Sequence, residues 1–234
     1  MSNTYKRRRL VIVFLSLAFF AYLIVVNTPN ITTDKKIKPP EVSRNNSSSA
    51  KIGLNKLEIK GRAPKTGYSR AQFGAGWQTV SGCDTRNIIL NRDLTNVIID
   101  DKCNVTKGVL NDPYTGKTIQ FTRGSATSSE VQIDHVVALS DAWQKGAQQL
   151  SFETCKQLAN DPLELLAVSG SANQQKLDGD AATWLPSNKP FRCQYVARQI
   201  AIKLKYHLWV TRAEHDAISK ILNNCQNQQL PISE

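Results

Sequence analysis

The sequence predicts an α+β domain carried behind a single apolar N-terminal segment. Short β-branched runs separated by turn residues fill the middle of the chain, and two apolar patterns of helical period close it. A third observation sets that body apart from what precedes it. Residues 1–62 hold 12 Lys/Arg against 3 Asp/Glu, whereas residues 63–234 hold 18 against 16. Most of the formal charge of +11 therefore lies outside the domain. It reads as membrane topology and a solvated tether, so any basic nucleic-acid groove must be a local patch. The 234 residues suffice for one substantial domain plus extras.

Lys6, Arg7, Arg8 and Arg9 make residues 1–9 a basic flank, expected in the cytoplasm. Residues 10–26 are uncharged and would span about 25 Å as a helix, near the lower limit for a bilayer. An uncleaved transmembrane anchor is favoured because no clear Ala-x-Ala site follows. A cleaved signal segment is the alternative, and both export the rest of the chain. Residues 27–60 contain Pro39-Pro40 and Asn45-Asn46-Ser47-Ser48-Ser49, a composition that builds no core and reads as a flexible linker. The domain is expected over residues 61–234.

Within it, residues 88–90 and 97–99 are short β-like runs. Residues 105–110 and 117–121 flank Asn111-Asp112-Pro113-Tyr114-Thr115-Gly116, a hairpin signal. Residues 131–137 are a further strand. Residues 139–149 and 152–159 look helical and stop at Asn160-Asp161-Pro162. Residues 163–168 read as a strand and 171–177 as a short helix. Pro190 opens a long helix over 190–208, with Val196, Ile200, Leu204 and Leu208 recurring every four residues. Thr211 followed by Glu214 has the pattern of a capping box at the head of a last helix, 211–222.

Five cysteines suit an exported domain, and the lack of a Cys-x-x-Cys pair disfavours structural zinc. Spacing alone does not fix their connectivity. The flanking elements favour Cys83–Cys103, around the two short strands at 88–99, and Cys193–Cys225, around the C-terminal helices. Cys155 is then left as a free thiol.

The chemistry centres on Asp134-His135, at the end of an apolar run. Asn173 and Lys176 follow after a second apolar run. Strand, excursion, strand, helix is an order that can gather Asp, His and Asn around one divalent ion. That suits phosphodiester hydrolysis, which needs a base for water, a cation against the developing charge and help for the leaving oxygen. His135 can be the base, since its ordinary pKa lies near neutrality. Asp134 and Asn173 offer hard oxygen ligands for Mg²⁺ or Mn²⁺. Lys176 can hold a phosphate. Adjacent strand residues face opposite sides, so Asp134 and His135 act together only if the strand twists or ends there. His207 and His215 are assigned to packing or surface, Asp178 and Asp180 to loops, and Trp143 and Trp184 to the core. Arg192 and Arg198 have no fixed place relative to the groove.

Residues 82–225 resemble a known family. The matching pieces are Gly82-Cys83-Asp84-Thr85-Arg86-Asn87, Asn111-Asp112-Pro113-Tyr114-Thr115-Gly116 and Ile133-Asp134-His135-Val136-Val137-Ala138-Leu139. Asp141-Ala142-Trp143, Asn160-Asp161-Pro162, Asn173-Gln174-Gln175-Lys176 and Trp184-Leu185-Pro186 follow in order. They resemble exported HNH-type endonucleases related to the C-terminal domain of GmrSD-type restriction enzymes. The resemblance implies a ββα-metal (HNH, or His-Me finger) nuclease core with an added β-hairpin and C-terminal helices. By position it implies His135 as general base and Asp134 and Asn173 as metal ligands. Glu164 stands where HNH motifs commonly carry a middle Asn, a departure, and is expected either to support the loop bearing the base by accepting backbone N–H bonds or to raise the basicity of His135. The function expected is exported, Mg²⁺- or Mn²⁺-dependent hydrolysis of nucleic acid, DNA before RNA, by a monomeric domain tethered to the membrane. The competing readings are a catalytically inactive nuclease-fold binding module at the cell surface and an antibacterial effector nuclease.

Overall fold

In the computed structural model the described residues are 49–125 and 127–231. The expected basic flank and the apolar segment at 10–26 lie outside them, as does the linker up to residue 48. Among the described residues no helix is long and apolar enough to cross a membrane.

The linker expectation is corrected at its C-terminal end. Helix α1, Ala50–Lys56, packs on the two C-terminal helices and buries Ala50, Gly53 and Leu54. Ile59 then bridges to Val210 in parallel, and Ser49 bridges antiparallel to Gln229. The charge of this segment had suggested a solvated tether, but its apolar positions sit on one helix face.

A 3-10 turn at Arg70–Phe73 leads to the two-residue strands β1, Thr79–Val80, and β2, Cys83–Asp84. Residues 88–90 were expected to be extended and are instead inside helix α2, Thr85–Asp93. The cause is the cap: an Asp84 carboxylate oxygen accepts from the Asn87 N–H at 2.7 Å, satisfying a donor that the first turn leaves open. Next comes an antiparallel meander of β3, Thr95–Ile99, β4, Val105–Asn111, and β5, Thr118–Thr122. The β4–β5 hairpin turns through residues 112–117, with Gly116 at φ 74°, a backbone region that favours glycine.

The central pair is β6, Val131–His135, antiparallel to β7, Leu165–Ser169, with His135 opposite Leu165. Between them run α3, Leu139–Gln144, a 3-10 turn at Ala147–Gln149, and α4, Phe152–Asn160. Helix α5, Gly170–Lys176, follows β7 directly. All five residues of β7 are buried, as befits a continuous apolar run covered on both faces. Leu165 and Ala167 pack with Ile89, Leu90, Leu110 and Phe121. Leu166 and Val168 pack with Tyr114, Tyr195 and Ile200. A third cluster, including Phe73, Leu158 and Ile202, holds the excursion.

Helices α6, Arg192–Lys205, and α7, Arg212–Leu222, close the body. The Thr211 hydroxyl accepts from the Glu214 N–H at 3.1 Å, so half of the capping box forms. The other half does not, because the Glu214 carboxylate is drawn into a buried ion cluster. Lys145, fully buried, lies 2.6–2.7 Å from Glu214, Asp141 and Asp180. Lys203 and Arg62 complete the cluster, Arg62 reaching Asp141 at 2.9 Å and Asp180 at 2.8 Å. Disulfides join Cys83 to Cys103 and Cys193 to Cys225, while Cys155 is a buried free thiol. The first bridge spans a helix and a strand instead of the expected hairpin.

Candidate functional site

His135 is the last residue of β6 and is 7% exposed. Its Nε2 lies 3.0 Å from the Ala159 carbonyl oxygen, contributed by α4. A carbonyl only accepts, so Nε2 carries the hydrogen and Nδ1 is the basic nitrogen. Its ring lies parallel to that of Trp77, at 8° and 5.8 Å between centroids. Burial, followed by the nearby Arg70 guanidinium, pushes its pKa down to about 3. The imidazole is therefore neutral at physiological pH.

Asp134 faces the other side of β6 and is 4% exposed. Because the strand ends at His135, both residues border one groove of about 700 Å³, with Asn173, Lys65, Arg70 and Arg86. The Asp134 carboxylate accepts from Lys176 Nζ at 2.9 Å and from the Tyr114 hydroxyl at 2.5 Å. Burial lifts its pKa above the ordinary carboxylate value, against the opposing pull of Lys176 and Tyr114. The Asn173 amide nitrogen donates to Gln132 Oε1 at 2.9 Å. No described group donates to its amide oxygen.

Lys176 does not line the groove expected of a phosphate ligand. It is 2% exposed, and its second bond, at 2.8 Å, goes to the His135 carbonyl. The reason is geometric: one helical turn beyond Asn173 brings it beneath β6, where the buried Asp134 charge draws it in. Glu164 is fully buried and pins the chain just past the base. Its backbone carbonyl accepts from Val136 N–H at 2.9 Å, and its carboxylate oxygens lie 3.1 and 3.2 Å from the Val137 nitrogen. Burial raises its pKa well above normal. Arg198 is spent on the Leu163 carbonyl at 2.6 Å, and Arg192 on that of Pro186 at 2.7 Å; neither lines the groove.

Sequence reasoning missed Tyr114, Trp77 and the groove cations Lys65, Arg70 and Arg86. Tyr114 had a signal, a large aromatic inside a polar turn, which is costly unless it is buried. Arg70 and Trp77 had none, since a 3-10 turn and the extended chain after it present them without periodicity.

Among the described residues no group of three or more His, Cys, Asp or Glu gathers as a metal cage. Asp134 and Asn173 nonetheless fit a hydrated hard cation. The Asp134 carboxylate takes hydrogen bonds from Lys176, Tyr114 and the His135 backbone N–H yet is a hard oxygen donor, the Asn173 oxygen is unclaimed among the described residues, and Mg²⁺ commonly keeps several waters.

A family model described as the C-terminal domain of GmrSD restriction endonucleases matches residues 84–221, more than half of the chain. The chain belongs to this family. The GmrSD C-terminal match spans every element from α2 to α7 and includes Arg86, Tyr114, Asp134, His135, Glu164, Asn173 and Lys176. Arg70 and Trp77 precede it. A protein of Arthroderma benhamiae, described as an uncharacterized secreted protein, is 35% identical over 209 residues, covering 88% of this chain and 99% of its own length.

Proposed function

We propose that the chain is an exported, divalent-metal-dependent endonuclease that hydrolyses phosphodiester bonds of DNA, with RNA a secondary substrate. The observation that carries this reading is the His135 geometry. A neutral imidazole, its tautomer set by the Ala159 carbonyl, lines a groove shared with Asp134, Asn173 and three cationic side chains. In this reading residues 131–176 are the ββα-metal nuclease core.

Arg70 and Arg86 bind phosphate oxygens in the groove; neither makes a salt bridge to a carboxylate among the described residues, although Asp84 lies near enough to act on Arg86. Nδ1 of His135 takes a proton from the attacking water as its oxygen bonds to phosphorus. The phosphorus–O3′ bond breaks in line, leaving a 5′-phosphate and a 3′-hydroxyl once the leaving oxygen is protonated. A divalent ion held by Asp134 and Asn173 would supply charge neutralisation for the phosphorane and the leaving oxygen. Lys176 and Tyr114 hold Asp134 in place, and Glu164 fixes the loop behind the base. Export is supported by the two disulfides and by the secreted relative. The proposed route is the segment at 10–26, as anchor or signal, with residues 27–48 as tether.

The test is cleavage of plasmid DNA, native and heat-denatured, by the full-length chain with Mg²⁺, beside His135→Ala and an EDTA control. Cleavage that needs both the metal and His135 is expected. Full activity in EDTA, or no cleavage of either form under any metal, overturns the reading.

A further inference from the structure

His135 borders two concavities. Besides the groove, a cavity of about 200 Å³ opens against it, lined by Arg70, Phe73, Trp77, Leu139 and Ala159. Its chemistry differs from that of the groove. Two aromatic rings and two aliphatic side chains form its walls, and no acidic residue lines it. Its rim between Phe73 and Trp77 is Gly74-Ala75-Gly76, and a Cβ placed at Gly76 would meet nothing within 4 Å. Arg70 lines both spaces, so one guanidinium stands where the apolar cavity meets the cationic groove. Such a pair of sites fits a flat, uncharged ring joined to an anion.

We propose that this cavity receives the base of a nucleotide flanking the scissile phosphate, and that the substrate is therefore single-stranded nucleic acid. The inference rests on the proposed nuclease reading. In a duplex the bases stack inward while the phosphates lie outside. A base can enter a pocket bordering the general base that activates the attacking water only by leaving the stack. A single strand meets that requirement at little cost, and stacking on aromatic side chains rewards any base that enters.

The experiment uses the full-length chain with Mg²⁺ and a labelled oligonucleotide in which all linkages but one are methylphosphonates. It is offered alone or annealed to its complement, and with an abasic site on either side of the cleavable bond. The single strand should be cut at least about tenfold faster than the duplex, and one abasic position should lower the rate by about tenfold. In Trp77→Ala the intact strand should slow, and the penalty for the abasic site should vanish. Equal cutting of strand and duplex, or no abasic penalty in the wild-type chain, overturns the inference without reference to any variant. A Trp77→Ala protein that slows equally on intact and abasic strands also overturns it, since Trp77 then only orients His135. Absence of cleavage on every substrate and on plasmid instead overturns the nuclease reading itself.

Discussion

His135 is neutral because water has been withdrawn from it and a guanidinium set nearby, and that fixes how its activity should respond to acid. Its pKa in the free protein is about 3, below the ordinary 6.5. The acid limb of kcat/KM, which reports the free enzyme, should therefore fall well below pH 6.5. A bound phosphodiester adds negative charge and favours the imidazolium, so the limb of kcat should lie higher than that of kcat/KM. Profiles of both parameters on a labelled oligonucleotide check this; coincident limbs near 6.5 would refute it. His135→Ala should cost about 10²–10⁴ in rate with the fold retained by circular dichroism. Lys176 gives the converse case. As a buried partner of Asp134, not a phosphate ligand, its replacement in Lys176→Met should lower stability by about 3–5 kcal/mol in urea unfolding. A stable Lys176→Met protein with only a raised KM would restore the phosphate-holding role. The types of these residues were legible in the sequence, because Asp-His closing a β-branched run is a local pattern. Their partners were not. Tyr114, Lys176 and Trp77 reach the site from 20 residues before Asp134, 42 after it and 58 before His135, separations that no local period encodes.

At the scale of elements, the apolar runs marked β4, β5, β6 and β7, and the four-residue recurrence marked α6. Residues 88–90 misled because Ile88, Ile89 and Leu90 have β-like composition, while the decision belonged to Asp84, a cap before the run. Short helices are settled by such terminal bonds more than by propensity. The Cys193–Cys225 bridge ties the first turn of α6 to the chain just after α7, across a sequence separation of 32. Its removal by Cys193→Ser with Cys225→Ser should cost about 3–4 kcal/mol in reversible unfolding, on the chain-entropy account. Cys155, at 2% exposure, should resist a thiol reagent until the chain unfolds. Rapid labelling of the native protein would contradict its placement on the buried face of α4.

For the whole molecule, the boundary of the folded body is the informative error. The polar composition of residues 27–60 placed the boundary near residue 61, yet α1 packs on α6 and α7, and Arg62 enters the ion cluster. A chain starting at residue 49 therefore keeps α1 and the bridge of Ser49 to Gln229, whereas one starting at residue 61 loses both. A chain starting at residue 61 should lose at least about 2 kcal/mol, because the partners of Leu54 and Leu57 in the core become exposed. Equal midpoints for the two truncations would return α1 to the status of a linker. The cluster itself was invisible beforehand, since its lysines and carboxylates are individually ordinary surface residues and only tertiary packing removes them from water.

The bridge between Ser49 and Gln229, with the Ala50 N–H bonded to the Gln228 carbonyl at 2.9 Å, brings two distant points of the chain side by side. Topologically the body is a nearly closed loop. A short Gly-Ser splice from Gln229 back to Ser49 should leave the groove undisturbed if new termini are cut at Gly124 and Ser125, in an exposed turn. The order in which the nuclease elements are translated would then be free to change while their assembly is not.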